Sequence, residues 1–323
     1  MNICYKFASP EQNKLYDMQM FRRYGAVILS MIIWSFSFIW FKMANVYYKP
    51  VTIVFIRLVI AVMILTIYLA LTDKFVRIRK SDRKMFFLLA FFEPFLYFIG
   101  ESHGLTYVSS TTGSVIISTI PVVAALGAWL FFREKLKPVN YAGIILSFIG
   151  IIVFIIQRNG TLSFNLKGLA LLGFAVISAV GYNLTLSRLV GSYSPVYIVN
   201  VQNVIGAMLF LPVFLIFDYR GFINSAHSFK SFIPVLELAL FASCGAFILF
   251  AYSVRHMGIS KANVFSNCIP VFTGLFSFLL FGDKLSLQNI LGMMIVVAGL
   301  FLSQADKRKK DIDDALILTG KTA

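Results

Sequence analysis

The sequence predicts an all-α integral membrane protein: ten transmembrane helices in two inverted five-helix repeats. Three observations carry this. First, 59% of the 323 residues are hydrophobic. They gather in runs of about 20, long enough at ~1.5 Å per residue to cross a ~30 Å hydrocarbon core. Second, Ile120–Gly150 returns 149 positions later as Ile269–Gly299. Ile120, Pro121, Val122, Lys135, Leu136, Asn140, Gly143 and Gly150 each meet an identical residue without a gap, and Glu134 meets Asp283. Such a repeat, with two apolar segments in each copy, marks a duplicated membrane domain. Third, Lys and Arg alternate in density from loop to loop, and this sets the orientation.

The spans follow in chain order. Tyr24–Asn45 is the first and Val51–Leu71 the second, divided by Lys49-Pro50. The basic loop DKFVRIRKSDRK leads to Met85–Gly104, Thr112–Phe132 and Val139–Gln157. The second copy runs Lys167–Arg188, Pro195–Phe217, Phe232–Val254, Asn263–Phe281 and Leu287–Gln304. The domain plan is therefore a tail 1–23, a repeat 24–157, a linker 158–166, a repeat 167–304 and a tail 305–323. Helix is the default because backbone groups in lipid need internal partners, and no period-two alternation suggests a barrel.

With the N-terminus inside, the inner segments hold 21 Lys and Arg and the outer segments 6, while Lys42 and Arg57 lie within spans, completing 29. Both termini are then cytoplasmic. Five spans per copy is an odd number, so the second copy enters from the opposite side. Two inverted copies can pack in two nearly equivalent ways, each open to one face, around a site near the midplane. The +15 net charge is read as cytoplasmic loop charge, not a nucleic-acid surface. Cys4, Cys244 and Cys268 have neither metal-ligand nor redox spacing. Residues 1–23 lack the apolar core of a cleavable signal. Neither a cofactor nor a metal is expected.

Several stretches then resemble a known family. They are Trp34-Ser-Phe-Ser-Phe38-Ile-Trp-Phe-Lys42, Pro50 followed by Phe55-Ile-Arg57-Leu, Gly104-Leu-Thr-Tyr-Val-Ser-Ser, Ile120-Pro121 and Arg133-Glu134-Lys135-Leu136. In this order and spacing, over about 24–304, they are similar to the EamA-type members of the drug/metabolite transporter superfamily. The resemblance implies a ten-helix inner-membrane transporter, often an exporter of amino acids or other small metabolites. Two departures stand out. Ser35 follows Trp34 where the family usually has Gly, and Gln202 stands at the place of Arg57 in the second copy, 145 positions on.

Ionisable groups inside spans cost roughly 2.5–3.5 kcal/mol on insertion scales, so each needs a reason. Arg57 reads either as a cavity cation for a carboxylate or as a structural pair. Lys42 is close enough to its span end to snorkel. In the third span Glu93, Tyr97 and Glu101 are spaced i, i+4, i+8, a ladder on one helix face, and Pro94 loosens the helix beside Glu93. A carboxyl at mid-membrane can exchange the proton that a coupled carrier needs, or can merely pair with Arg57. Glu93 and Glu101 are the proton-coupling candidates. The candidate solute contacts are Arg57, Glu93 and Tyr97, the aromatic walls Trp34 and Phe38, and the amides Asn200, Asn203 and Asn267. Tyr182, Asn183 and Gln202 are further polar groups in the second copy. Pro121 and Pro270, related by the repeat, are candidate hinges.

The expected function is secondary transport of a small metabolite such as an amino acid, exported across the inner membrane by alternating access and open to proton coupling. The partners are membrane lipid, a small-molecule solute and a proton, with no nucleic acid; the chain is a monomer or a homodimer. No GxxxxGK[ST] loop is present to bind ATP. The alternatives are a passive facilitator or nucleotide-sugar-type carrier, and a membrane enzyme on a lipid-linked substrate using Glu101-Ser102-His103.

Overall fold

A computed structural model describes residues 10–124, 126, 138–155, 165–225, 227–282 and 286–303, with backbone alone for 10–21 and 155. The helices are α1 (Pro10–Asn45), α2 (Pro50–Leu71), α3 (Lys80–Tyr107), α4 (Ser110–Ala124) and α5 (Pro138–Phe154). The second copy has α6 (Leu166–Leu189), α7 (Pro195–Phe217), α8 (Phe229–Met257), α9 (Ile259–Phe281) and α10 (Leu287–Ser303). Among the described residues no strand occurs, and seven of these helices are long and apolar enough to cross a membrane. The shorter apolar helices are α4, α5 and α10. The spans expected at 112–132 and 139–157 run on into residues outside the described ones, as do the Glu134 turn, linker residues 158–164 and the tail 305–323. α1 already begins at Pro10, inside the stretch read as a tail. Residues 11–22 contain no Gly or Pro to stop it.

The two copies are inverted, and equivalent residues make the same bonds on opposite sides. Asn140, at the start of α5, donates to the Ser303 carbonyl at 2.8 Å. Its equivalent Asn289, at the start of α10, donates to the Phe154 carbonyl at 2.8 Å. The shift of 149 maps 140 to 289 and 154 to 303, so α5 and α10 run antiparallel about a local two-fold. Glycine makes this seam possible. A Cβ on Gly292 would stand 2.5 Å from the Phe154 nitrogen, and one on Gly299 would stand 2.5 Å from the Ser147 nitrogen. Gly143 and Gly150 face α10 in the same way.

The α2–α7 pair obeys the same symmetry. Tyr48 and Tyr193, 145 positions apart, precede Pro50 and Pro195. The Tyr48 hydroxyl meets Ser231 Oγ at 3.0 Å and His227 Nδ1 at 3.2 Å. The Tyr193 hydroxyl donates to Asp82 Oδ2 at 2.7 Å and accepts the Arg79 N–H at 3.1 Å. Each tyrosine thus ties one copy to the loop that follows the second helix of the other. Caps differ between the copies. Ser194 caps α7 by accepting from the Tyr197 N–H at 3.3 Å. Lys49 offers α2 no side-chain cap. Asp218 supplies it from the end of α7, accepting from the Thr52 N–H at 3.1 Å and Oγ1 at 3.2 Å.

The third and fourth helices of both copies are interrupted at mid-length. α3 has a π segment at Phe91–Leu96, where Glu93 is extended (φ −147°, ψ 119°) just before Pro94. α8 has one at Leu238–Ala246. Gly206 of α7 leaves room for the Pro94 ring, and Gly181 of α6 for the Phe92 ring. α4 breaks at Ser118–Thr119, immediately before Ile120-Pro121, and both hydroxyls bond back to carbonyls three residues earlier. α9 passes through a 3-10 turn, Phe265–Cys268, immediately before Ile269-Pro270. Pro121 and Pro270 therefore restart broken helices at equivalent places. A missing N–H costs nothing in a first helical turn.

Candidate functional site

A cavity lies where these interruptions meet. It encloses about 650 Å³ of atom-free space, open solvent at its mouth included. Its walls follow the repeat. From α1 come Trp34, Ser37 and Phe38; 145 positions on, α6 supplies Ala179, Tyr182 and Asn183. From α3 come Phe98 and Glu101; 149 positions on, α8 supplies Phe247 and Phe250. Ile117 and Ile120 of α4 answer to Ser266 and Ile269 of α9 in the same register. The cavity is thus built around the axis that relates the copies.

Its shape follows the axis but its charge does not. Arg57, Glu93 and Glu101 all come from the first copy, and their equivalents are Gln202, Ala242 and Phe250. Its depth is also lopsided: Asn263 lines it, whereas the equivalent Ser114 is fully buried elsewhere.

The charged groups are held apart. Arg57, 4% exposed, donates from Nε to Ser243 Oγ at 2.8 Å and lies over the Phe98 ring at 4.4 Å. Among the described residues it makes no ion pair with Glu93 or Glu101, yet it stands in the field of both, Glu101 the stronger. The Tyr97 hydroxyl donates to Glu101 Oε1 at 2.8 Å, which fixes the ladder one turn above Glu93. Glu93, 7% exposed, makes no hydrogen bond among the described residues. The extended backbone before Pro94 turns it out of the helical register that Tyr97 and Glu101 share. Aromatic contacts line the opposite wall: Trp34 packs edge-on to Phe247 at 5.3 Å and against Phe250 at 5.0 Å.

Six of the expected site residues are brought together here: Trp34, Phe38, Arg57, Glu93, Tyr97 and Glu101. The three amides are not among the lining residues. Asn200 accepts from Thr66 Oγ1 at 3.1 Å and Asn203 donates to the Ser243 carbonyl at 3.2 Å, so both join helices. Asn267, equivalent to Ser118, is fully buried without a partner among the described residues. Lys42 donates to the Leu105 carbonyl, joining α1 to α3. Ser102 Oγ and His103 Nδ1 stand 3.5 Å apart, but among the described residues no hydrogen bond joins Glu101 to either: Glu101 bonds Tyr97, and His103 Nδ1 also meets the Ile99 carbonyl at 3.0 Å.

Tyr182 and Asn183, polar groups already singled out in the second copy, also line it, together with Asn263, Ser266, Phe98, Phe247 and Phe250, which the sequence did not mark. Phenylalanine gives no signal in a chain holding 34 of them. Carrying the lining residues Ser37, Phe38 and Ile117 through the two repeat shifts leads to Tyr182, Asn183 and Ser266, whereas Asn263 has no lining counterpart, since Ser114 is buried elsewhere.

Comparison with known proteins agrees with this architecture. An uncharacterized transporter of Archaeoglobus fulgidus is 24% identical over 281 residues, 87% of this chain and 98% of its own. The uncharacterized transporter YetK of Bacillus subtilis is 25% identical over 261 residues, 79% of this chain and 78% of its own. A solved crystal structure superposes with a TM-score of 0.67 at 14% identity, spanning 88% of this chain and 96% of its own; that likeness concerns the fold alone. The EamA-like transporter family matches twice, over residues 23–156 and 166–304. With most of its length in two such matches, the chain belongs to the EamA-like transporter family, as a multi-pass membrane protein.

Proposed function

We propose that this transporter exports a small organic solute, amino acids among the classes to try first, by alternating access of its two inverted repeats (24–157 and 167–304) to the central cavity. The observation that carries the reading is the cavity's construction from repeat-equivalent positions. Exchanging the conformations of two inverted copies moves such a cavity's opening from one face to the other. Its reach to Asn263 and not to Ser114 corresponds to one of the two states. The breaks before Pro121 and Pro270 are the proposed hinges. The Lys and Arg bias supports cytoplasmic termini in the inner membrane, so this state faces the cytoplasm, where an exporter loads.

Glu93 is the proposed proton-coupling acid. It is buried, lines the cavity and has no hydrogen bond among the described residues to give up when it takes a proton or meets a solute. Glu101 is held by Tyr97, which favours a supporting role for it. Arg57 is the cation that keeps the field of two acids tolerable. The test is efflux from proteoliposomes loaded with amino acids and related metabolites, with and without a pH gradient. Gradient-driven efflux that Glu93→Gln abolishes is the expected result. Efflux insensitive to both gradient and mutation makes the protein a passive facilitator and returns Glu93 to a structural role.

A further inference from the structure

If the cavity is the transport site, two of its polar neighbours still lack a purpose. Tyr182 lines the cavity, and its hydroxyl has no hydrogen-bond partner among the described residues. Gln202 is fully buried, and neither atom of its amide has one. The two side chains stand close enough to interact, and Tyr182 also feels the Glu93 carboxyl. Glu93 itself is more than nine-tenths buried and makes no hydrogen bond among the described residues. Tyr182 and Gln202 have at best each other, and Glu93 has no hydrogen bond among the described residues; buried polar groups so poorly served are costly to keep. They make sense as the receiving end for a group that arrives with a ligand.

The chemistry of that group follows from its surroundings. A carboxylate only accepts hydrogen bonds, so the incoming group must donate. An anion is repelled there. Arg57, which can receive an anion, is anchored to Ser243 through Nε and over the face of Phe98, and Tyr182 feels the Glu93 carboxyl and not Arg57. Around Tyr182 the walls are aromatic rings: Phe247 stands edge-on at 6.0 Å from Tyr182 and 5.3 Å from Trp34. An acid beside aromatic rings recognises a cation carried on an apolar body.

We propose that the solute docks by a protonated amine, received by Glu93 and Tyr182, with Gln202 positioning Tyr182 from behind. The proposal rests on the cavity being the transport site and supplies the chemical class that reading leaves open. It also gives the repeat asymmetry a purpose. Where the first copy carries Arg57, the second carries a neutral amide, so the second copy adds no cation of its own to the one that already acts on Glu93.

The test uses three probes that share one aromatic body: phenethylamine, phenylalanine and 3-phenylpropionate. Equilibrium binding to the full-length purified chain is followed by Trp34 fluorescence, with Trp40 and Trp129 replaced by Phe. Phenethylamine is expected to bind at least about 10-fold tighter than 3-phenylpropionate, with phenylalanine between. Tyr182→Phe should weaken phenethylamine by about 2–10-fold, the loss of one hydrogen bond, and leave 3-phenylpropionate unchanged. Gln202→Leu should lower the same preference by a smaller factor; a merely structural role would weaken all three probes alike. Should Gln202→Leu fail to fold, Tyr182→Phe alone decides. The proposal is overturned if the anion binds as well as the amine, if no probe binds at millimolar concentration, or if Tyr182→Phe shifts all three equally. Amine binding without flux of any solute would instead refute the transport reading and leave the amine site standing.

Discussion

Replacing Gly143 or Gly292 with Ala should loosen the two-fold seam between α5 and α10. A Cβ at Gly143 would lie 2.7 Å from the Gly299 carbonyl oxygen, and one at Gly292 would lie 2.7 Å from the Phe154 Cα. These are backbone atoms, so no side chain can turn aside; the helices must part. Overpacking of this kind costs ~1–3 kcal/mol. Parting also stretches the bonds from Asn140 to Ser303 and from Asn289 to Phe154, both 2.8 Å, at ~1 kcal/mol each. Each variant should lose about 3–5 kcal/mol. Gly173 is the internal control: it sits within α6 with nothing inside 4 Å of its added Cβ. There the same substitution should gain ~0.4–1 kcal/mol by stiffening the unfolded chain. The assay is reversible unfolding in mixed micelles by SDS titration. Gly143→Ala and Gly292→Ala should fall together, well below Gly173→Ala. If all three lie within error of one another, the seam is not closely packed. If the first two differ widely, the local two-fold does not govern it.

Two further perturbations probe the contacts between the copies. Asp218→Ala removes the acid that caps α2 through the Thr52 N–H and Oγ1, and should cost ~1–2 kcal/mol in the same titration; Ser194→Ala removes the corresponding cap of α7, which comes from its own copy, and should cost no more. Tyr193→Phe should destabilise more than Tyr48→Phe, because Tyr193 bonds the Asp82 carboxylate whereas Tyr48 bonds the Ser231 hydroxyl and the His227 ring. Bonds to charged partners contribute ~1.5–3 kcal/mol against ~1 for neutral ones. The double variant should show the sum, since the two sites share no partner.

Much of this molecule is visible in its sequence because lipid leaves the backbone few choices. Apolar runs of span length must be helical, and an odd number of them per copy forces inversion. The charged members of the site stood out for the same reason: Arg57, Glu93 and Glu101 interrupt apolar runs and so demand a function or a partner. Asn200 and Asn203 show where that logic weakens. An amide in a span is cheap enough to serve as helix glue, and nothing in its spacing distinguishes glue from site. Phe98 and Phe247 could not be singled out, because phenylalanine faces lipid, core and cavity alike. Tyr182 and Asn183 were within reach by symmetry, being Ser37 and Phe38 carried forward by 145. The extended backbone at Glu93 was foreshadowed by Pro94, whereas the π segment at Leu238–Ala246 contains no proline to announce it.

The central claim is that two inverted repeats expose one cavity alternately to the two membrane faces. It is tested most directly at a repeat-equivalent pair, Ser114 and Asn263, of which Asn263 lines the cavity and Ser114 is buried. With Cys4, Cys244 and Cys268 replaced, Ser114→Cys and Asn263→Cys are reconstituted separately in vesicles and challenged with a membrane-impermeant maleimide from each side. The account predicts that both label, each from the opposite side to the other. Labelling of Asn263→Cys alone, or of both from one side, would contradict it.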